Sequence, residues 1–443
     1  MSTAPPKTRV GARRSFEEGM AAIVSYRPEV DGRILLAGVL AVYFLVVAIP
    51  HLVWGADVWR FLGVPTGPSP FFDTRNLTAA LDCRRLGYDP LRHSPCDPWG
   101  RPLNYPRIWL VLRWLGLTQA HTDALAVVLV ALFIGSIFLL TGRLTLGSGI
   151  VMAVAVCSPS VMFAVERGNM DIVVFAVLVA AVLVWRASPW AEIASPLIVL
   201  FAGMLKIYPV FALPAFVFVR RHRAALVATA CVIGFGVYAL VTLGDIAANA
   251  RIAPQGDYHA FGARILPAAV YHRFVPERWK GGAATKQLLA LVPVLVAAPF
   301  VWIAGRRRLP ADDPDVASWR RLAFWISALV FLGTFAVGNN FDYRLVFLLL
   351  ALPQLIEWTR AERDPRRRLG AVTLFAVLVL LWVSALSVQL DLWDEVATWG
   401  VVLLFGVLIA ASLPTVGELV AVFRVREPAG SRIVRPRNPP YPR

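Results

Sequence analysis

The chain has 443 residues, of which 58% are hydrophobic and 16% charged, with a mean hydropathy of +0.64. That is more apolar surface than a water-soluble core hides, which excludes a soluble enzyme and makes the chain a polytopic membrane protein. The net charge of +16 comes from basic runs between apolar segments, the positive-inside pattern, so it argues for membrane orientation and against nucleic acid as partner.

Residues 1–33 are polar and basic, with Lys7, Arg9, Arg13, Arg14, Arg27 and Arg33 and no cleavable signal pattern, and are expected in the cytoplasm. The apolar stretch from Ile34 to Trp54 is long enough, at about 1.5 Å per residue, to cross a hydrocarbon core of roughly 30 Å. The hydrophilic insert 54–106 therefore falls on the extracytoplasmic side. Within it, Leu77, Ala80, Leu81 and Leu86 recur at helical spacing with Arg75, Asp82, Arg84 and Arg85 off that face, which predicts a short interfacial helix along the membrane surface. Cys83 and Cys96 share the insert; on an oxidising side they close a disulfide or stay as two thiols.

Apolar segments follow at 123–142, 150–165, 168–186, 193–219, 224–243, 288–304, 321–338, 343–358, 369–389 and 396–416. They predict an all-α transmembrane bundle of about 11–12 segments over residues 34–416, with a second large extracytoplasmic loop at 244–287 and a basic cytoplasmic tail at 417–443. A single crossing by 193–219 would carry Arg220-Arg221-His222-Arg223 outside. Keeping every basic run inside requires a break at Lys206-Ile207-Tyr208-Pro209, where proline cannot continue a helix and disfavours it in the residue before. Irregular backbone at membrane depth survives where protein or a water-filled cavity satisfies it, so Lys206 is expected to face a cavity. A lysine flanked by apolar residues points to a ligand, or else to a protein partner such as Asp171 or Glu166.

With this parity both termini are cytoplasmic. The polar clusters Glu166 to Asp171, Asn339 to Arg344 and Asp391 to Glu395 join the first insert on the outer side. His259 and His272, in the second loop, have no metal-ligand spacing. The chain shows no phosphate-binding glycine loop, zinc pattern or nucleophile elbow.

An early aspartate (Asp73) ahead of a helix, Gly87-Tyr88-Asp89-Pro90, Asn104-Tyr105-Pro106, Gly168-Asn169, Lys206-Ile207-Tyr208-Pro209 and Asp342-Tyr343-Arg344 together resemble the GT-C class of integral-membrane glycosyltransferases. The resemblance is closest to glycosyltransferase family 87, which uses polyprenyl-phosphate sugars, and covers residues 34–415. Two departures stand out: Arg107 replaces a second proline after the "YP", and Gly168 stands where glutamine often precedes the asparagine. The resemblance implies Asp73 as the general base and Arg75, Asp89, Asn104, Tyr105, Arg167, Asn169, Lys206, Tyr208, Asp342, Tyr343 and Arg344 as substrate-binding residues. A rim carboxylate suits a base because partial desolvation raises its pKa, and Lys206, Arg344 and Arg167 suit a phosphate whose charge grows as the glycosidic bond breaks.

The expected partners are a polyprenyl-phosphate sugar donor, a glycan or glycolipid acceptor and the bilayer, at the plasma membrane with the site facing out. No cofactor or metal is expected. A flippase or transporter of a lipid-linked sugar would use the same broken helices and anion site, and a noncatalytic assembly subunit fits the same residues. The lack of an internal repeat and the gathering of polar residues on one side favour the enzyme.

Overall fold

Helix α1 (Gly32–Trp54) is long and apolar enough to cross a bilayer, as are Gln119–Thr141, His222–Val241, Trp319–Val337 and Trp393–Ser412. It exposes Val42, Leu45 and Leu52 along its length, as expected of a helix whose solvent is hydrocarbon. The computed structural model describes residues 19, 31–54, 58–252, 259–267, 295–306, 319–383, 393–413 and 415–423. The basic N-terminal residues up to Arg27, Tyr271 to Arg273, Arg307-Arg308, Asp391 and the tail from Arg424 lie outside the described residues.

After α1 come α2 (Phe72–Arg85), α3 (Thr122–Thr141), α4 (Leu146–Val156), α5 (Pro159–Glu166), α6 (Asp171–Ala187), α7 (Ala191–Leu205), α8 (Ala215–Phe218), α9 (His222–Val241) and α10 (Leu243–Ile252). Then follow α11 (Leu295–Arg306), α12 (Trp319–Val337), α13 (Leu352–Arg360), α14 (Arg367–Val383), α15 (Trp393–Ser412) and α16 (Val416–Phe423). The described strands are two residues long: β1 (Ala260–Phe261) pairs antiparallel with β2 (Asn340–Phe341), Ala260 opposite Phe341. The architecture is the expected all-α polytopic one. Among the described residues five helices are long and apolar enough to span, or six if the bent α4–α5 pair is one.

The breaks have chemical causes. The α4–α5 pair bends by 56° at Ser158-Pro159, where Pro159 takes the first helical turn and Ser158 is extended. Helix α7 stops at Lys206, which is extended (φ −151°, ψ 125°), and Pro209 opens the 3-10 turn Tyr208–Ala212. The carbonyl of Leu205, freed by this break, accepts a hydrogen bond from the Trp109 indole N–H at 2.9 Å, so protein satisfies the irregular backbone. Beyond the break the chain runs back through Tyr208–Ala212 and α8, and Arg221 pairs with Glu192 at the start of α7 (3.3 Å). The segment 193–219 thus leaves from and returns to one end of the bundle, as the placement of the basic runs requires.

Helix α2 is the helix expected in the insert, and the protein covers more of it than its apolar stripe: Asp73, Thr74, Asn76 to Leu81 and Cys83 are buried. Polar Thr78 bonds Thr122 of α3 (2.7 Å), and Asn76 donates to Asp97 (3.3 Å) and to the Arg101 carbonyl (3.2 Å). The 89–103 loop packs over Asn76, while Arg84 and Arg85, on the face that the sequence pattern leaves to water, are exposed. Cys83 and Cys96 are joined in a disulfide, Cα atoms 5.5 Å apart, that ties this loop to α2. Cys157 and Cys231 are buried thiols.

Candidate active site

The site is built where the start of α2 meets the turn between α5 and α6. Phe71 N–H donates to the Glu166 carbonyl (3.0 Å) and Asp73 N–H to the Arg167 carbonyl (3.0 Å). The Thr74 hydroxyl donates to the Gly168 carbonyl (2.7 Å). Gly168 has φ +54°, and a Cβ there would lie 2.3 Å from Thr74 Oγ1, so both conformation and space call for glycine where the family often carries glutamine. The turn delivers Arg167 to Asp73 as a two-pronged pair, Nε to Oδ2 at 2.8 Å and a terminal nitrogen to Oδ1 at 2.7 Å. Asn169 Nδ2 donates to the same Oδ2 at 2.5 Å.

Asn169 also joins this pair to a second one. Its Oδ1 accepts from Lys206 Nζ (2.9 Å) and from the backbone N–H of Asp171 (2.9 Å). Lys206 and the Tyr208 hydroxyl both donate to Asp171 Oδ1. Arg344 Nε stands 3.7 Å from Asp171 Oδ2, an oxygen that makes no hydrogen bond among the described residues. Arg344 also donates to Asn340 at β2. In this cluster three cations, Arg167, Lys206 and Arg344, face two carboxylates, which leaves it attractive to an anion.

Aromatic rings wall the cluster. Lys206 Nζ lies 5.2 Å from the Tyr105 ring and 5.8 Å from that of Tyr343, and Arg344 lies 5.0 Å from Tyr208, distances at which ring faces stabilise cations. Burial works against the charge on Asp73, but the Arg167 guanidinium and the hydrogen bonds from Arg167 and Asn169 outweigh it and hold the carboxyl below its ordinary value. The raised pKa expected from desolvation alone is therefore not found in this ion-paired state. Burial pushes the Tyr105 phenol well above its usual range, which keeps it neutral.

Of the residues expected to form the site, Asp73, Tyr105, Arg167, Asn169, Lys206, Tyr208, Tyr343 and Arg344 converge. Arg75 instead pairs with Asp123 of α3 (3.3 Å). Asp89 takes two hydrogen bonds from Arg107, both 2.9 Å, and Arg107 Nε reaches Asp245 of α10 at 2.6 Å. Asn104 is exposed on its loop. Asp342 is buried, with its backbone N–H donated to the His259 carbonyl (2.8 Å). Lys206 faces Asp171, one of the two protein partners considered. Asp171 was expected only as a partner of Lys206 and Asn340 only within its polar cluster, neither as a site residue, although an aspartate opening an apolar helix two residues after Asn169 was a visible signal.

A cavity of about 670 Å³ opens beside the cluster, walled by Phe44 and Val47 of α1 and Val127 and Ile134 of α3. Phe71, Val165 and Glu166 form its end nearest the site. Among the described residues no group of three or more His, Cys, Asp or Glu is arranged to hold a metal ion.

Residues 107–318 match the sequence model of glycosyltransferase family 87. The match bears out the family resemblance read from the sequence and supports a glycosyltransferase. The family 87 stretch takes in Arg167, Asn169, Asp171, Lys206 and Tyr208, whereas Asp73, Tyr105, Asn340 and Arg344 come from outside it. No curated protein and no solved structure matches the chain.

Proposed function

We propose that this chain transfers a sugar, a hexose such as mannose or a pentose, from a polyprenyl-phosphate carrier to a glycan or glycolipid outside the plasma membrane, with Asp73 as general base. What carries the reading is the convergence of Asp73 with Arg167, Lys206 and Arg344 at one end of an apolar bundle. The neighbouring cavity offers hydrocarbon contact for an isoprenoid tail. The donor phosphate is the leaving group. The glycosidic C–O bond breaks toward it, the acceptor oxygen bonds to the anomeric carbon from the opposite face, and the hydroxyl proton passes to Asp73, inverting the centre. A phosphate that draws Arg167 away from Asp73 removes the partner that holds the carboxyl acidic, so donor binding itself makes the base more basic. The fixed cations take up the charge developing on the phosphate.

The test is incubation of purified protein with polyprenyl-phosphate sugars and an extracted envelope acceptor. The expected result is glycosylated acceptor with free polyprenyl phosphate. Intact donor moved across a vesicle membrane without cleavage would replace this reading with a flippase.

A further inference from the structure

One exposed feature of the first loop is not used by the mechanism above. Pro98, Trp99 and Gly100 stand at the surface, with Trp99 41% exposed, yet the indole is held in place. Its ring meets Phe72 edge-on at 4.8 Å and 66°. Arg101 lies 3.5 Å over the Phe72 ring and 5.0 Å from the Trp99 ring. The guanidinium is fixed in turn by Asp97, at 3.1 and 2.8 Å, and by the Phe72 carbonyl at 3.1 Å. Asp97 also accepts the Trp99 backbone N–H at 2.9 Å. Phe72 is the residue before Asp73, and Arg167, the partner of Asp73, lies 5.2 Å from the same Phe72 ring. A continuous band therefore runs from the Asp73–Arg167 pair across Phe72 to an exposed, rigid tryptophan.

We infer that Trp99, Phe72 and Arg101 form a carbohydrate platform that holds the sugar residues of a glycan acceptor next to the one being modified. The inference rests on the glycosyl-transfer reading and names the acceptor class for it: an oligosaccharide of at least two rings. Pyranose and furanose rings carry a face of C–H groups that lies flat on an indole, while their hydroxyls accept hydrogen bonds from a planar guanidinium with several donors. A ring held before the ligand arrives loses little conformational entropy on binding. A tryptophan serving as a membrane anchor needs no such fixing, since its role is to sit at headgroup depth. Sugar bound here leaves the terminal residue to extend along Phe72 toward Asp73, and contacts remote from the reacting atoms help position it.

Saturation-transfer NMR on the detergent-purified full chain tests this with manno-, gluco- and arabino-oligosaccharides of one to four residues. Ring C–H signals are expected for oligomers of two or more residues of at least one series. Trp99→Ala should weaken that binding about tenfold, the scale of a lost ring-face contact, at an unchanged melting temperature. Trp99→Phe, which keeps an aromatic ring on Phe72, should lose less and covers the case of an unstable alanine variant. No binding by the wild-type chain, or equal binding by both variants, overturns the platform; equal binding with a shallower loop in vesicles would make Trp99 a membrane anchor. Oligosaccharide binding that depends on Trp99 in a protein that transfers no sugar would leave the platform standing and reject the enzyme reading.

Discussion

Two arginine–aspartate pairs of nearly the same geometry lie in and beside the first loop, and they do different work. Arg167 grips Asp73 with two hydrogen bonds among aromatic rings, the aspartate side chain 9% exposed, while Arg107 grips Asp89 with two hydrogen bonds at a wet surface, the side chains 37% and 32% exposed. A buried pair has given up hydration on both partners, so removing one strands the other, whereas a wet pair exchanges one partner for water. The difference shows where polar groups are spent on a site and where they hold a loop.

The largest test breaks the buried side at its second pair. Lys206→Met strands Asp171 and should destabilise the protein by about 3–5 kcal/mol, read as a loss of melting temperature, and should weaken polyprenyl-phosphate binding by roughly tenfold to a hundredfold. Adding Asp171→Asn should return most of the stability and none of the lipid-phosphate affinity. Recovery of both would make Lys206 a structural ion only.

Next in size is Asp73→Asn, which keeps shape and loses the basic oxygen. Sugar transfer should fall about a hundredfold or more, the scale of general-base catalysis, and near-normal turnover would take Asp73 out of the mechanism. Gly168→Ala probes the same pair without touching a charge. A left-handed position and a clash with Thr74 should cost about 1–3 kcal/mol, with activity falling because Asn169 and Arg167 shift away from Asp73.

The smallest effects belong to the wet pair. Arg107→Gln should change stability by less than about 1 kcal/mol, and the change should shrink as salt rises; a larger, salt-insensitive loss in thermal melts would move Arg107 into the buried class. The pH dependence joins the two regions. Hydrogen bonds from Arg107 hold the Asp89 carboxyl low, and Arg167 holds Asp73 low against its burial. With folded values below unfolded ones, this stabilisation is full above the ordinary aspartate value of about 4 and is lost as pH falls through the folded values. An acid melt series should therefore show a loss below that pH that is reduced in Arg107→Gln.

Much of this was legible in the chain because the cost of polar groups in hydrocarbon is large. Lys206 and Pro209 together mark a break, and the Arg220 run marks the end to which the chain returns. Lys206 stands out against apolar neighbours, Asp73, Arg167 and Asn169 were picked out by the family resemblance, and the structure brings the four together. The insert was read less well. Thr74, Asn76 and Thr78 carry no apolar signal, and their partners are distant in the chain: the Gly168 carbonyl, Asp97 with the Arg101 carbonyl, and Thr122. Arg75 lies two residues from Asp73, yet on a helix that separation turns the side chains apart, and it pairs with Asp123 instead. Asp171 was expected only as a partner of Lys206, because its contacts, with Lys206 and Tyr208, lie 35 and 37 residues away.

The Trp109 to Leu205 hydrogen bond has a consequence for biogenesis. Synthesis runs from the N-terminus, so Trp109 is made 96 residues before the carbonyl it satisfies, and Asp73 is made 94 residues before Arg167. The Cys83–Cys96 bridge needs only partners 13 residues apart. The first loop can close on itself before the helices that complete it have entered the membrane. From then until residues 166–169 and 205 arrive, the nascent chain carries an aspartate without its arginine and an indole without its acceptor.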